Sequence, residues 1–317
     1  MASRIPLIII RQVANDVTSI RSTTEETRSS VDRLRLNDHQ REIIKWLCPP
    51  DPSTNYKKAL EQRQEGIGLW FLQNDVFAKW KTRRNSFLWL YGIPGCGKTV
   101  LSSTIIEDLG RTPSRQPLLY FYFDFNDTAK QTLESMVRSL ISQLCYRCDD
   151  TWKQLDSLFS SCQDGRRQPT CESLCMVLLH TIEQIKEVWI ILDALDECRT
   201  RKGPPTEGLL SWIKDILGSE QRNVHLLMTS RPEQDIKSGL SEFVYDDNTV
   251  PIQSDLITND IRAYVRKRVR EDEGFKRWHD RSDVQDEIET LLMEKADGML
   301  VLRHFSKDHY PQLHTKN

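Results

Sequence analysis

The sequence predicts an α/β fold in three layers, with a parallel sheet between two layers of helices. From residue 87 onward, short continuous apolar runs alternate with segments of helical periodicity. Strands that are apolar on both faces suit a parallel sheet covered by helices on each side. The 317 residues are enough for one large domain and a smaller appendage.

The elements are predicted in chain order from their hydrophobic periodicity. A weak seven-residue repeat predicts a linker helix over residues 11–36, and the proline-rich stretch Cys48–Pro52 interrupts the chain. Aromatic residues at helical spacing predict a core-facing helix, namely Trp70, Phe71, Phe77 and Trp80. Strands are predicted over Phe87–Tyr91, Leu118–Asp124, Val188–Asp193 and Val224–Thr229, and helices over Thr99–Leu109, Thr132–Cys145 and Cys171–Ile185. Beyond Gln253 only helical patterns remain.

A glycine-rich loop joins the first of these strands to a helix. Gly92–Thr99 fits G-x-x-x-x-G-K-[ST] at every fixed position. The glycines let backbone N–H groups converge on phosphate oxygens, and the helix N-terminus adds unpaired donors. We expect Lys98 to reach the β- and γ-phosphates and the Thr99 hydroxyl to bind Mg²⁺. The sequence therefore predicts binding of ATP or ADP (or GTP) with Mg²⁺ through Gly92, Ile93, Pro94, Gly95, Cys96, Gly97, Lys98, Thr99 and Val100.

Acidic residues follow a second apolar strand about a hundred residues later. Asp193 ends the strand and is expected to hold Mg²⁺ beside the glycine loop. Asp196 and Glu197 lie on the exit loop, where a carboxylate can act as general base on an attacking water. The alternative interpretation is three solvated loop acids that cap a helix.

Arg231 follows the next apolar strand, within Thr229–Pro232. Carboxyl ends of strands line the ligand crevice of such sheets, so Arg231 is a candidate contact for the γ-phosphate. A plain surface arginine is the competing interpretation.

Together, Gly92–Thr99, Asp193–Glu197 and Thr229–Pro232 resemble the NACHT domain of STAND-class P-loop NTPases. The chain is similar to fungal NACHT proteins with a nephrocystin-3-like N-terminal domain, many of which end in ankyrin or WD40 repeats. The resemblance covers about residues 40–300. It implies a five-stranded sheet in the order 5-1-4-3-2 and slow ATPase activity. It also implies a signalling switch of fungal innate immunity, closed with ADP and forming a homo-oligomer with ATP.

The resemblance also divides the chain. We expect a helical linker over residues 1–48, a nucleotide-binding domain over 49–253, a partial helical subdomain over 254–301 and a disordered tail over 302–317. The polar stretch from about Leu302 departs from the family and resembles a truncated product, a splice form or a shifted reading frame. In each case the repeat and effector regions that bind protein partners in relatives are expected to be missing. In relatives, the regions that follow are expected to cover the preceding helices. Without them, Ile288, Leu291, Leu292 and Met299 are expected to form an exposed apolar patch.

Composition excludes other classes of protein. The net charge of −2 gives no general attraction to nucleic acid or anionic membrane, and Arg262, Arg266 and Arg270 form an ordinary solvated helix face. No apolar run is long enough to span a membrane, so a cytoplasmic location with reduced thiols is expected. A zinc site of Cys145, Cys148, Cys171 and Cys175 is a less favoured alternative to buried thiols.

Two further functions stay open from the residues alone. One is a non-catalytic scaffold in which the nucleotide only holds the fold together. The other is a small-molecule kinase, which is disfavoured because such kinases carry the glycine loop at the extreme N-terminus.

Overall fold

The computed structural model describes residues 38–63, 66–111, 116–204, 206–219, 222–252, 254–271 and 273–296. The expected linker helix over 11–36, the tail over 302–317 and Met299 lie outside the described residues.

Five parallel strands form one sheet. They are β1 (Ser86–Tyr91), β2 (Leu118–Tyr122), β3 (Val188–Asp193), β4 (Val224–Ser230) and β5 (Thr249–Pro251). Their spatial order is β2-β3-β4-β1-β5, which confirms the predicted α/β fold and the order 5-1-4-3-2 counted from the other edge. Because all neighbours are parallel, the carboxyl ends of β1, β3 and β4 meet at one edge of the sheet.

Twelve α-helices accompany the sheet in the part of the chain that the structure describes. They are α1 (38–47), α2 (Ser53–Gln62), α3 (Leu69–Leu72), α4 (Asp75–Thr82), α5 (Lys98–Arg111), α6 (Leu133–Cys145), α7 (Asp149–Ser161), α8 (Cys171–Gln184), α9 (Leu209–Gly218), α10 (Gln234–Gly239), α11 (Ser254–Glu271) and α12 (Ser282–Ala296). Short 3₁₀ turns cover Thr128–Lys130, Leu195–Glu197 and Glu273–Trp278.

Threonine side chains fix where two of the sheet-covering helices begin. Thr132 Oγ1 accepts a hydrogen bond from Ser135 N at 3.1 Å, and Thr170 Oγ1 accepts one from Ser173 N at 3.2 Å. Each hydroxyl satisfies one of the N–H groups that a helix start leaves without a partner. The starts of α6 and α8 therefore lie within a residue of the predicted ones.

The core lies on both faces of the sheet. Strands β1, β3 and β4 are buried along almost their whole length, as their continuous apolar runs predict. Phe71, Phe77 and Trp80 are buried against the sheet and Trp70 is partly buried, which confirms the predicted aromatic core stripe. The single helix predicted to carry them is wrong, because the chain breaks into α3 and α4 at Asn74, whose side chain caps α4 by accepting from Val76 N at 2.8 Å.

The C-terminal helices cover each other. Ile288 and Leu292 of α12 are buried in one cluster with Ile261 and Val265 of α11. The expectation that Ile288 and Leu292 form an exposed patch is therefore wrong, because the apolar stripe of α11 supplies their cover.

The described chain divides into two compact units. The smaller comprises residues 38–48 and 155–168, within which Trp46 packs edge-on against Phe159 and donates to Arg167 O at 2.8 Å. The larger comprises residues 49–154 and the described residues from 169 onward, and it carries the sheet. None of the described helices is long and apolar enough to cross a membrane.

The cysteines of the described residues are all free, and Cys145 and Cys175 are buried. Within those residues no group of three or more His, Cys, Asp or Glu side chains is arranged to hold a metal ion.

Candidate nucleotide-binding site

The glycine loop leaves β1 at the carboxyl edge of the sheet. Gly92 N donates to Ser230 O at 3.2 Å, which fastens the start of the loop to β4. Gly95 and Gly97 have φ of +79° and +90°, a region that L side chains rarely adopt. A Cβ on Gly92 would lie 2.7 Å from Cys96 Sγ, so the loop can close over itself only with glycine there.

Lys98 folds back over this loop. Its Nζ donates to Gly92 O and Ile93 O at 2.8 Å each and lies 3.7 Å from Cys96 Sγ. The ammonium therefore lies against the first residues of the loop and is held there by two backbone carbonyls. Ile93 is 48% exposed, whereas the side chain of Val100 is buried in the core and leaves only its backbone for a ligand.

Asp193 lies next to the loop at the end of β3 and is almost completely buried. Its Oδ2 accepts a hydrogen bond from Thr99 Oγ1 at 2.7 Å, and its Oδ1 accepts bonds from Ser102 Oγ and Thr229 Oγ1, also at 2.7 Å. Burial raises the pKa of Asp193, while these three hydroxyl donors and the charge of Lys98 oppose that rise. The strand end thus holds a carboxylate that hydroxyl groups have already oriented.

The chain turns sharply directly after Asp193. Ala194 has φ +58° and ψ +51°, a left-handed conformation in a residue that is not glycine. Ala194 N donates to Thr229 Oγ1 at 3.0 Å, which fixes the turn to β4. The turn starts the short 3₁₀ segment that carries Asp196 and Glu197 on the site side of the sheet edge.

Asp196 is paired with Arg231. Its Oδ1 accepts from Arg231 N at 2.9 Å, and its Oδ2 forms an ion pair with Arg231 Nε at 3.0 Å. The Asp196 side chain is 5% exposed and that of Arg231 is 45% exposed. The structure therefore brings two of the predicted catalytic residues together as a pair, with Asp196 engaged on both oxygens.

Glu197 turns toward the loop that follows β2. Its Oε2 accepts a hydrogen bond from Phe125 N at 2.8 Å. Burial, together with the nearby carboxylates of Asp196, Asp124 and Asp193, raises the pKa of Glu197 to about 7, although the Phe125 N–H opposes the rise. A carboxylate with this pKa can take up a proton near neutral pH.

The arrangement fits a magnesium nucleotide. Thr99 and Asp193 offer the hydroxyl and carboxylate oxygens that Mg²⁺ prefers, and they touch each other beside the ammonium of Lys98. The left-handed glycines and the start of α5 supply backbone donors suited to phosphate oxygens.

Sequence reasoning missed several residues of this site. Ser102 lies one helical turn after Lys98, so its spacing could have indicated a hydroxyl facing the glycine loop. The sequence indicates Thr229 only as the first residue of the Thr229–Pro232 motif, although its hydroxyl binds Asp193 directly. No sequence signal shows that the Phe125 backbone holds Glu197, because that contact depends on how the β2 loop closes.

A protein-family comparison matches this part of the chain. The model described as "Nephrocystin 3, N-terminal" matches residues 66–231, more than half of the 317 residues. The matched segment includes the glycine loop, Asp193, Asp196, Glu197 and Arg231.

Three curated proteins are also similar to the chain. The vegetative incompatibility protein HET-E-1 of Podospora anserina is 26% identical over 155 residues, which are 45% of this chain and 11% of that protein. Proteasome-associated ATPases of Actinosynnema mirum and Geodermatophilus obscurus are 34% identical over 58 residues and 28% identical over 95 residues. Those two matches cover 18% and 28% of this chain and 10% and 16% of the relatives' own lengths.

Proposed function

Because the chain belongs to the nephrocystin 3 N-terminal family, we propose that it binds ATP with Mg²⁺ as a NACHT-type switch module that hydrolyses the nucleotide slowly. The observation that best supports this is the 2.7 Å bond from Thr99 Oγ1 to Asp193. It joins the end of the glycine loop to the strand-end carboxylate, the two oxygen donors that such a site needs for Mg²⁺. Two of the similar proteins are named as ATPases, and a third is a fungal incompatibility protein.

In this proposal each residue of the loop has a separate task. Lys98 exchanges its two carbonyl partners for phosphate oxygens and supplies the fixed positive charge there. Thr99 and Asp193 hold Mg²⁺, with Ser102 and Thr229 fixing the carboxylate. When bound, magnesium nucleotide supplies an activated phosphoanhydride bond.

Hydrolysis is assigned to Glu197 as general base. Its hydrogen bond to Phe125 N uses one carboxylate oxygen, and among the described residues no donor to the other oxygen is seen; its pKa of about 7 suits proton transfer near neutral pH. Asp196 is less suited to this role, because both of its oxygens are bound to Arg231. Arg231 is assigned to the γ-phosphate, which requires that it leave Asp196. This competition is consistent with slow turnover.

The switch itself is proposed from the family resemblance. The triphosphate state would form a homo-oligomer in the cytoplasm. Signalling to protein partners would pass through repeat or effector regions of the kind that relatives carry in addition to the segment that this chain resembles. Light scattering after size exclusion should show a larger mass with a non-hydrolysable ATP analogue than with ADP. An equal mass in both states would contradict the oligomerising switch and leave nucleotide binding unaffected.

Calorimetry tests the binding site. Lys98→Ala should abolish measurable binding of ATP and ADP, since the fixed charge over the loop is lost. Lys81→Ala is the matched control, because Lys81 pairs with Asp108 through a 3.0 Å bond outside the site. Unchanged affinity in Lys98→Ala would refute the site. Competition between ATP and GTP at the wild-type protein would decide which base is preferred.

A non-catalytic scaffold is the second candidate. It is favoured because two groups assigned to hydrolysis are already bound to other parts of the protein. Arg231 is paired with Asp196, and Glu197 accepts a hydrogen bond from Phe125 N. Protein that retains nucleotide through purification and releases no phosphate over many hours would establish the scaffold. Phosphate release that Glu197→Gln slows, at unchanged nucleotide affinity, would establish the hydrolytic switch.

A further inference from the structure

The loop between β2 and α6 (residues 123–132, the β2–α6 loop) is held by a buried amide side chain. Gln131 is 1% exposed, although it is polar and lies outside the α-helices and strands. Its Nε2 donates to Asp124 O at 3.1 Å and to Phe125 O at 2.7 Å. Two carbonyl acceptors require the NH₂ group at this position, so the chemistry fixes the orientation of the amide.

Gln131 also binds the segment that carries Glu197. Its backbone carbonyl accepts a hydrogen bond from Arg199 N at 2.7 Å, two residues beyond Glu197. Gln131 therefore binds both the loop that carries Phe125 and the segment that carries Glu197. These two segments meet where Phe125 N donates to Glu197 Oε2 at 2.8 Å.

We propose that Gln131 is a positioning residue for nucleotide hydrolysis, because its buried amide holds the Phe125 N–H against the Glu197 carboxylate. The inference rests on the proposed function of Glu197. The bonds of the Gln131 side chain go to Asp124 and Phe125, so it acts through them and not on the nucleotide.

Losing this support has two consequences for Glu197. A carboxylate that accepts an N–H is favoured in its ionised form, so loss of the Phe125 bond moves the pKa of Glu197 further above its ordinary value. The carboxylate also becomes free to rotate away from the position it holds in the structure. Both effects reduce the fraction of molecules with a correctly placed base at neutral pH.

The rest of the β2–α6 loop has independent anchors. Asp124 Oδ2 accepts from Asn55 Nδ2 at 2.9 Å, and Lys130 Nζ donates to Thr54 Oγ1 at 2.7 Å and Asn55 Oδ1 at 2.6 Å. Replacement of Gln131 should therefore loosen the Phe125 end of the loop and leave the fold intact.

The test compares Gln131→Met with Gln143→Met. Methionine fills a similar volume and cannot make the amide bonds. Gln143 is the matched control, since its amide binds the backbone N and O of Tyr120 on β2, at 3.1 and 2.9 Å, away from Glu197. Single-turnover hydrolysis is measured across pH, together with ADP affinity by calorimetry.

For Gln131→Met we expect a rate at pH 7 that is lower by roughly tenfold to a hundredfold. The acid limb of the pH profile should move to higher pH, while ADP affinity stays unchanged. Gln143→Met should keep the wild-type profile. An unshifted profile for Gln131→Met, or the same change in both variants, would overturn the inference.

A double variant separates this inference from the proposed function. In the Glu197→Gln background, Gln131→Met should slow hydrolysis no further, because the group it positions is already lost. An additive loss would overturn the positioning role while hydrolysis through Glu197 stands. If Glu197→Gln itself turns over at the wild-type rate, the proposed base and the role of Gln131 both fail, whereas Lys98-dependent nucleotide binding still tests the site.

Discussion

The side chains assigned to chemistry are bound to other groups in this structure. Asp196 holds Arg231 by two bonds, and Glu197 accepts the N–H of Phe125. Residue types and spacing predicted that these carboxylates lie at one strand end. They did not predict that Asp196 binds Arg231 through both oxygens, whereas Glu197 binds Phe125 N through one. That difference decides between Asp196 and Glu197 as the base.

The pH dependence of turnover follows from Glu197. A general base works as the carboxylate, and burial with neighbouring acids raises the pKa of Glu197 to about 7. Hydrolysis should therefore rise roughly tenfold between pH 6 and pH 8 and fall as Glu197 is protonated below pH 7. Phosphate release in buffers of constant ionic strength measures this. In Glu197→Gln the remaining rate should show no such rise, and an equally steep rise there would assign the titration to another group.

Ala194 offers a test of backbone strain beside the site. Its φ of +58° is tolerated by a small residue, whereas a β-branched side chain in this region clashes with the backbone. Ala194→Val should lower the free energy of unfolding by about 1–2 kcal/mol and displace the turn that carries Glu197. Ala194→Gly is the control, with an expected change below about 1 kcal/mol. Urea titrations that rank the two variants in the opposite order would contradict this account.

At the scale of elements, strands were easier to predict than the contacts that join them. Continuous apolar runs predicted β3 over Val188–Asp193 without error, because a strand covered on both faces must be apolar throughout. The polar pair of Ser86 and His225 between β1 and β4 was not foreseen, although Ser86 Oγ lies 2.7 Å from His225 Nδ1. Such a pair belongs to neighbouring strands that are distant in sequence.

The Asp260 carboxylate of α11 binds the start of α3. Asp260 Oδ2 accepts a hydrogen bond from Gly68 N at 2.9 Å. Asp260→Ala should lower the free energy of unfolding by about 1.5–3 kcal/mol, because a partly buried N–H loses a charged partner. Asp283→Ala is the control, because the Asp283 side chain in the first turn of α12 is 66% exposed, and it should leave the urea midpoint unchanged. Equal midpoints for Asp260→Ala and the wild-type protein would show that α11 is held by its apolar contacts alone.

At the scale of the whole molecule, the order of the strands could be predicted, whereas the contacts that bury individual side chains could not. The strand order was implied by the family resemblance, which rests on a few motifs, and the periodicity of the chain does not by itself specify it. The expected exposure of Ile288 and Leu292 was wrong because it assumed that their cover came from regions after α12, whereas both side chains are buried in one cluster with residues of α11. Contacts between distant segments are the part that periodicity does not specify.

The two compact units lead to a prediction about which part of the protein nucleotide binding stabilises. The glycine loop, Asp193 and Arg231 all belong to the larger unit. Magnesium ADP at about a hundred times its dissociation constant should stabilise that unit by about 2.7 kcal/mol. Backbone amides of β1, β3 and α5 that exchange only when the larger unit unfolds should then exchange roughly a hundredfold more slowly. Amides of residues 38–48 and 155–168 should keep their exchange rates. Hydrogen exchange followed by mass spectrometry measures both units at once, with Lys98→Ala as the control in which no segment slows. Equal slowing in the smaller unit would show that nucleotide binding stabilises both units together.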